Sequence, residues 1–347
     1  MKKSAQIISY LLMIALIVLI AVVLIVFVGA DVGKAFSSFF MGVFGSTYAI
    51  SEVLVKATPL ILTGVGVAVA FRSGFTNIGA EGQLYIGAIA ATFVALNFKN
   101  LSAIILIPLM IVAGFVFGGI WSLIPGILKA KFGISEVINT IMFNYIAINI
   151  LGILLRSSLQ DPDNPLPISP QFPKGAILPQ IFGATSRVHA GLIVALIMTA
   201  LVYVFVWRTP YGFQMRAVGL NKRASLCAGI PVNRSIILSS IISGGLAGIA
   251  GMCEVSGLHY QLVEGFSANY GYMAVIVALL GKNHPAGVIA SAIGIAILQV
   301  GSLSMQRSAG VPASISSILI GAIVLLILGR STIFSFLKKD KKEELKI

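Results

Sequence analysis

The chain has 347 residues, of which 58% are hydrophobic and only 10% charged. Soluble domains carry about a quarter charged residues, so the composition excludes an ordinary soluble enzyme or binding module and defines a polytopic membrane protein. A net charge of +13 would suit a nucleic-acid binder if the chain were soluble, but the basic residues lie at Lys2-Lys3, Lys129/Lys131, 208–234 and 330–346, between or beyond apolar runs; that placement orients a membrane protein and argues against nucleic acid as a partner.

About 20 apolar residues cross the hydrocarbon core. On that ruler, spans are predicted at 8–29, 52–71, 79–97, 101–128, 135–156, 188–207, 235–254, 268–281, 285–303 and 313–329. The expected fold is an all-α transmembrane bundle of about ten spans with broken or re-entrant helices, forming one domain over 1–347. The first apolar run is too long for a signal-peptide core and is read as a retained helix. With both termini cytoplasmic, 17 of the 24 Lys and Arg residues fall on the inside, as the positive-inside rule requires. The 36 glycines fit close helix packing in lipid. Cys227 and Cys253 are predicted on opposite faces, so no disulfide is expected.

The most informative polar interruption of the apolar pattern is Arg72-Ser-Gly-Phe-Thr-Asn77-Ile-Gly-Ala-Glu81-Gly-Gln83, between the second and third spans. Arg, Asn, Glu and Gln at a span edge are expensive unless paired or solvated, and the interleaved glycines predict a helix that breaks and restarts. One reading makes Asn77 the N-cap of a helix beginning at Ile78, with Glu81 in its first turn and paired to Arg72. The other offers the helix start, Asn77, Glu81 and Gln83 to a polar solute. The two are compatible. In the fifth span Glu136, Thr140 and Asn144 recur every four residues and share a helix face, which must meet other helices or line a water-filled path.

Residues 157–187, with prolines at 162, 165, 167, 170, 173 and 179, predict an extended outside loop. Segment 208–234 is the main inside loop. Within it Asn221-Lys-Arg-Ala-Ser-Leu-Cys-Ala-Gly229-Ile-Pro231 carries an N-cap, a C-terminal glycine and a proline stop. These signals predict a helix of about two turns, too short to stand alone in water. It is either a docking helix for a cytoplasmic partner or a surface helix resting on the spans. His259, Gln261 and Glu264, with Glu254 at their edge, read as a solvated outside loop, and Lys282-Asn-His-Pro285 as a tight inside turn. The tail 331–347 mixes lysine with acidic residues and suits a solvated end or contact with anionic lipid. No phosphate-binding Gly-rich loop, catalytic set or metal spacing is present in the sequence, so neither enzymatic activity nor a cofactor of its own is expected.

Several stretches together resemble the membrane permease of bacterial ATP-binding-cassette importers, in the nucleoside group related to ribose and branched-chain amino-acid permeases. They are Phe71–Gln83, Glu136–Tyr145, Arg216–Gly229, Ala274–Gly281 with Pro285-Ala-Gly287, and Gly310-Val-Pro312. The resemblance implies a multi-pass permease of the bacterial cytoplasmic membrane. Its partners would be a second permease subunit, a cytoplasmic ATP-binding subunit that uses the ATP, an extracytoplasmic substrate-binding lipoprotein and membrane lipid. It also implies that Asn221, Lys222, Arg223, Ala224, Ser225, Leu226 and Gly229 form the segment that couples to the ATPase. The expected solute is a nucleoside, moving along a path that includes Asn77, Glu81, Gln83 and Asn144. The alternatives are ribose-like sugars on the same architecture, or an ion-coupled secondary carrier, against which the placement of Glu81 and Glu136 near span ends argues.

Overall fold

The computed structural model describes residues 2–183 and 186–312, with 314–315, 317–323 and 325–326 beyond them. The described residues are predominantly helical, as expected, and their only strand-like pairings are two isolated antiparallel bridges, Ile168 with Val263 and Gln180 with His189. The chain divides into two compact units, one of Met1–Val53 with Gly294–Ile347 and one of Leu54–Ile293. The tail 331–347 lies outside the described residues.

In the first unit, helix α1 (Lys2–Phe27) is followed by α2 (Val32–Phe44), which the apolar-run reading did not predict. Gly29 takes a left-handed φ of 76° just beyond α1, and Asp31 caps α2 by accepting the Lys34 N–H at 2.6 Å. Residues 15–27 and 32–44 therefore meet at a 119° bend. Ala21, Ile25, Ala35, Met305 and Val311 form the core of this unit. Ser304, on the latter part of α12 (Pro285–Ala309), donates its hydroxyl to Ser38 O at 2.8 Å.

The second unit takes in most of α3 (Thr47–Arg72), then α4 (Ala80–Asn97), α5 (Ala103–Phe132), α6 (Glu136–Leu155) and α7 (Gly191–Arg208). Three shorter or broken pieces follow in α8 (Pro210–Leu220), α9 (Lys222–Cys227) and α10 (Val232–Glu254), the last continued by a π-helical turn over Val255–His259. Helix α11 (Tyr270–Leu280) and the start of α12 complete the unit. Helices α3 and α10 are largely buried, whereas α5, α6 and α7 expose most of their surface. Burial explains the small residues of α10. A Cβ on Gly248 would overlap the backbone of Gly114, so α5 and α10 approach backbone to backbone there.

Among the described residues six helices are long and apolar enough to cross a bilayer, namely α3, α5, α6, α7, α10 with its π-helical turn, and α12; the bent pair adds a seventh if it counts as one span. This is fewer than the ten expected, for local reasons. Helix α4 opens with the polar Glu81 and Gln83 and ends on Asn97, and α11 has only 11 residues, about half a membrane's thickness. The tenth predicted span, 313–329, lies partly outside the described residues.

Candidate functional site

The chain between α3 and α4 leaves helical geometry after Arg72 and returns to it at Ala80. Gly74 takes φ 76°, and the Phe75 ring is fully buried with Ala70, Val218, Val232 and Ile236. That cluster pins the break onto α8 and the beginning of α10. A Cβ on Gly219 of α8 would meet the Arg72 carbonyl, so the two backbones touch.

The polar residues of the break are buried and satisfied by one another. The Asn77 amide donates to Gln83 Oε1 at 2.9 Å and to Ser243 Oγ at 2.8 Å; its carbonyl oxygen accepts from Gly79 N–H at 2.9 Å and Gln83 Nε2 at 3.1 Å. The predicted N-cap is therefore displaced. Helix α4 starts at Ala80, its cap position is Gly79, and Asn77 holds Gly79 in place from two residues back. The remaining donors of the helix start are met from α6. Asn144 Oδ1 accepts the Gly82 N–H at 2.8 Å, its amide donates to Ile78 O at 3.0 Å, and Thr140 Oγ1 accepts the Ile78 N–H at 3.3 Å. The expected shared face of Glu136, Thr140 and Asn144 is present and buried. Glu136 sits lower on it, 2.5 Å from Lys129 Nζ.

The expected Arg72–Glu81 pairing does not form. Glu81 Oε2 instead accepts the Gly271 N–H at 2.8 Å, at the start of α11. Asn269, the residue before α11, has φ 61° and makes no side-chain cap, so the carboxylate of α4 takes over that role and complements the helix dipole. A Cβ on Gly271 would collide with the backbone of Glu81, which brings the two helix starts into contact. Arg72 turns the other way and donates Nε to Asn283 O at 2.8 Å and Nη2 to Lys282 O at 3.4 Å.

The far end of α10 contrasts with this. Segment 157–187 is extended as predicted, but it packs onto the residues after α10. Leu178, Phe172 and Ser169 donate their N–H groups to Ser256, Tyr260 and Leu262 carbonyls at 3.1, 2.9 and 2.9 Å. The solvated-loop reading of 254–264 is thereby corrected. Only Glu264 behaves that way, in an exposed two-pronged pair with Arg156 at 2.8 and 3.2 Å. That carboxylate raises the Arg156 pKa above its ordinary value. Glu254 is 1% exposed and neither of its oxygens meets a hydrogen-bond donor among the described residues. Its nearest ionisable partner is His259 Nε2, 3.9 Å away. The Ser256 hydroxyl and His189 Nε2 are likewise buried and unpaired among the described residues. His189 Nδ1 accepts the Gly191 N–H at 3.2 Å, and burial, aided by the charge of Arg187, pushes its pKa down to about 4. Sequence reading missed this cluster because its members are dispersed over 189–259. The available signal was a glutamate at the end of an otherwise apolar, glycine-rich span.

The short helix appears where the capping signals place it. Helix α9 spans Lys222–Cys227, Asn221 accepts the Ala224 N–H at 3.0 Å, and Gly229 takes φ 75° before Pro231. Ser225 is buried, whereas Asn221, Lys222, Arg223, Ala224 and Gly229 are exposed and Leu226 is 56% exposed. A helix of this length with an outward-facing leucine is anchored on one side and open on the other.

A bundle of apolar helices around a broken, polar helix start is the build of a membrane transport protein. The model of the family described as branched-chain amino acid transport system / permease component matches residues 49–328, and the chain belongs to that family. It is 38% identical over 319 residues to the guanosine ABC transporter permease protein NupP of Bacillus subtilis, covering 91% of each chain. It is 35% identical to the glucose ABC transporter permease protein TsgB13 of Haloferax volcanii, over 90% of this chain and 84% of the relative. To the nucleoside ABC transporter permease protein NupB of Lactococcus lactis it is 34% identical, over 94% of each. The protein is thus a multi-pass membrane permease that works with an ATP-binding subunit and a substrate-binding partner.

Proposed function

We propose that the chain is the permease subunit of an importer for nucleosides, with both termini in the cytoplasm of a bacterium. Its further partners are a second permease subunit and a substrate-binding lipoprotein, and it holds no cofactor, the ATP being used by the ATP-binding subunit. The observation that carries the solute assignment is the similarity, at 38% and 34% identity over nearly the whole chain, to permeases named for guanosine and for nucleosides. The 35% identity to a glucose permease favours a sugar as the second reading.

In this reading the solute passes beside Asn77, Glu81, Gln83 and Asn144, whose bonds to one another or to nearby backbone exchange for bonds to solute and water as the path opens. The docking segment is Asn221–Gly229. A physical route supports its coupling: α9 continues α8, α8 rests its backbone on Arg72, and Phe75 locks the break to Val218 of α8. Uptake of labelled guanosine, uridine, ribose and glucose, with and without a co-expressed ATP-binding subunit, tests the proposal. Nucleoside uptake that needs the ATPase is expected. Uptake driven by a proton or sodium gradient without it would sink the importer reading, and exclusive sugar uptake would replace the solute.

Replacing Lys222 and Arg223 by glutamate is expected to abolish co-purification of the ATP-binding subunit and reduce uptake at least tenfold, the loss expected on reversing charges at a contact. Expression and thermal stability should stay unchanged. Retained co-purification with full uptake would refute the docking assignment.

A further inference from the structure

At the α9 end of the second unit, two arginines share one aromatic ring. The guanidinium carbon of Arg72 lies 4.9 Å from the Trp207 centroid and that of Arg216 lies 5.9 Å from it. His284 meets the same ring edge-on at 5.1 Å, and Tyr203 stacks on it at 5.5 Å. Among the described residues no carboxylate lies within ion-pair distance of either arginine. Arg216 Nε is buried and has no hydrogen-bond partner among the described residues. Arg72 spends two of its five N–H donors on Asn283 O and Lys282 O. Like charges gathered on one indole without a counter-charge are repulsive, and an anion bound between them relieves that.

The position selects the anion. Arg72 ends α3, Trp207 lies one residue before the end of α7, and Pro285 begins α12, so three span ends meet at the level of the membrane boundary, where aromatic residues gather. Above Trp207, α7 presents an exposed apolar stripe through Tyr203, Leu196 and Ile193, aligned by helical spacing. An acyl chain lying along that stripe would bring its phosphate to the two arginines. We propose that Arg72, Arg216 and Trp207 form a binding site for the phosphodiester headgroup of an anionic phospholipid, independent of which solute the permease carries.

The chain has two tryptophans, so Trp121→Phe leaves Trp207 as the sole reporter, read by quenching with acyl-brominated lipids in bilayers of the full-length protein. Brominated phosphatidylglycerol is expected to quench Trp207 at a lower mole fraction than brominated phosphatidylcholine. The preference should fall about fivefold on losing either arginine, the ratio expected for one basic residue at a charged surface. Arg216→Gln is the primary variant, because Arg216 makes no hydrogen bond that folding relies on among the described residues; Arg72→Gln is the second. Equal quenching by the two lipids, or a preference that survives Arg216→Gln, overturns the site. Loss of the preference on adding inorganic phosphate assigns it to a free anion and overturns the lipid. Loss of it on adding the ATP-binding subunit assigns it to a protein contact, with the same consequence.

Discussion

The two ends of the second unit handle buried polarity in opposite ways. At the break between α3 and α4, Asn77 and Gln83 bond each other while Asn144 and Thr140 bond the backbone of the buried helix start, so the polar groups are satisfied. At the end of α10, Glu254, Ser256 and His189 are equally buried but hold unpaired atoms among the described residues. A closed hydrogen-bond network fixes one arrangement, whereas an unsatisfied buried group favours any rearrangement that hydrates or neutralises it. In this structure the α3–α4 break is closed by its own hydrogen bonds, and the α10 end holds the polar atoms left without partners among the described residues.

The largest expected effect tests the frame that both regions share. Gly248→Val puts side-chain atoms into the Gly114 backbone and should cost at least about 3 kcal/mol, seen as loss of folded protein in detergent size-exclusion chromatography. Normal yield would mean that α5 and α10 can separate without harm. Asn77→Ala comes next. It removes four hydrogen bonds and should lower stability by about 2–3 kcal/mol, measured by thermal unfolding. Glu254→Gln should be close to neutral, within about 1 kcal/mol of the parent in the same measurement, because a carboxyl with no donor beside it is buried as the neutral acid, which the amide matches in size and polarity. If both variants destabilise alike, the contrast between the ends is lost.

The smallest effect is a pH dependence at His189. Its pKa is depressed in the folded state, so the unfolded chain binds more protons between the ordinary value and the folded one. Stability is fully present above pH 6.5 and is lost as pH falls toward 4. The full loss is at most about 3 kcal/mol. His189→Asn, which keeps an acceptor for the Gly191 N–H, should flatten this part of the acid response in thermal scans from pH 7 to pH 4.5. An unchanged slope would show that other groups carry it.

Local rules reached some elements and not others. Caps and stops within a few residues located α9 to within a residue or two, because Asn221, Gly229 and Pro231 act on their own neighbours. Apolar length found α3, α5, α6 and α7 for the same reason. It does not distinguish a helix surrounded by protein from one surrounded by lipid, as in α4, whose Glu81 and Gln83 are tolerated by partners on α11 and on the break itself. The face of α6 was legible from period alone; its target was not. Pairings such as Glu81 with Gly271 or Arg72 with Asn283 join residues about 200 positions apart, and no spacing rule reaches that far. The Glu254 cluster was hidden similarly, since the strands of loop that cover it come from elsewhere in the chain.

The Phe75 contact constrains how this protein can be recombined. Its ring is fully buried among residues of α8 and α10, on either side of the exposed helix α9. A chimaera that borrows segment 209–232 from another permease inherits a foreign socket for that ring. Such a graft must carry a matching residue at position 75, about 150 residues upstream of the segment being exchanged.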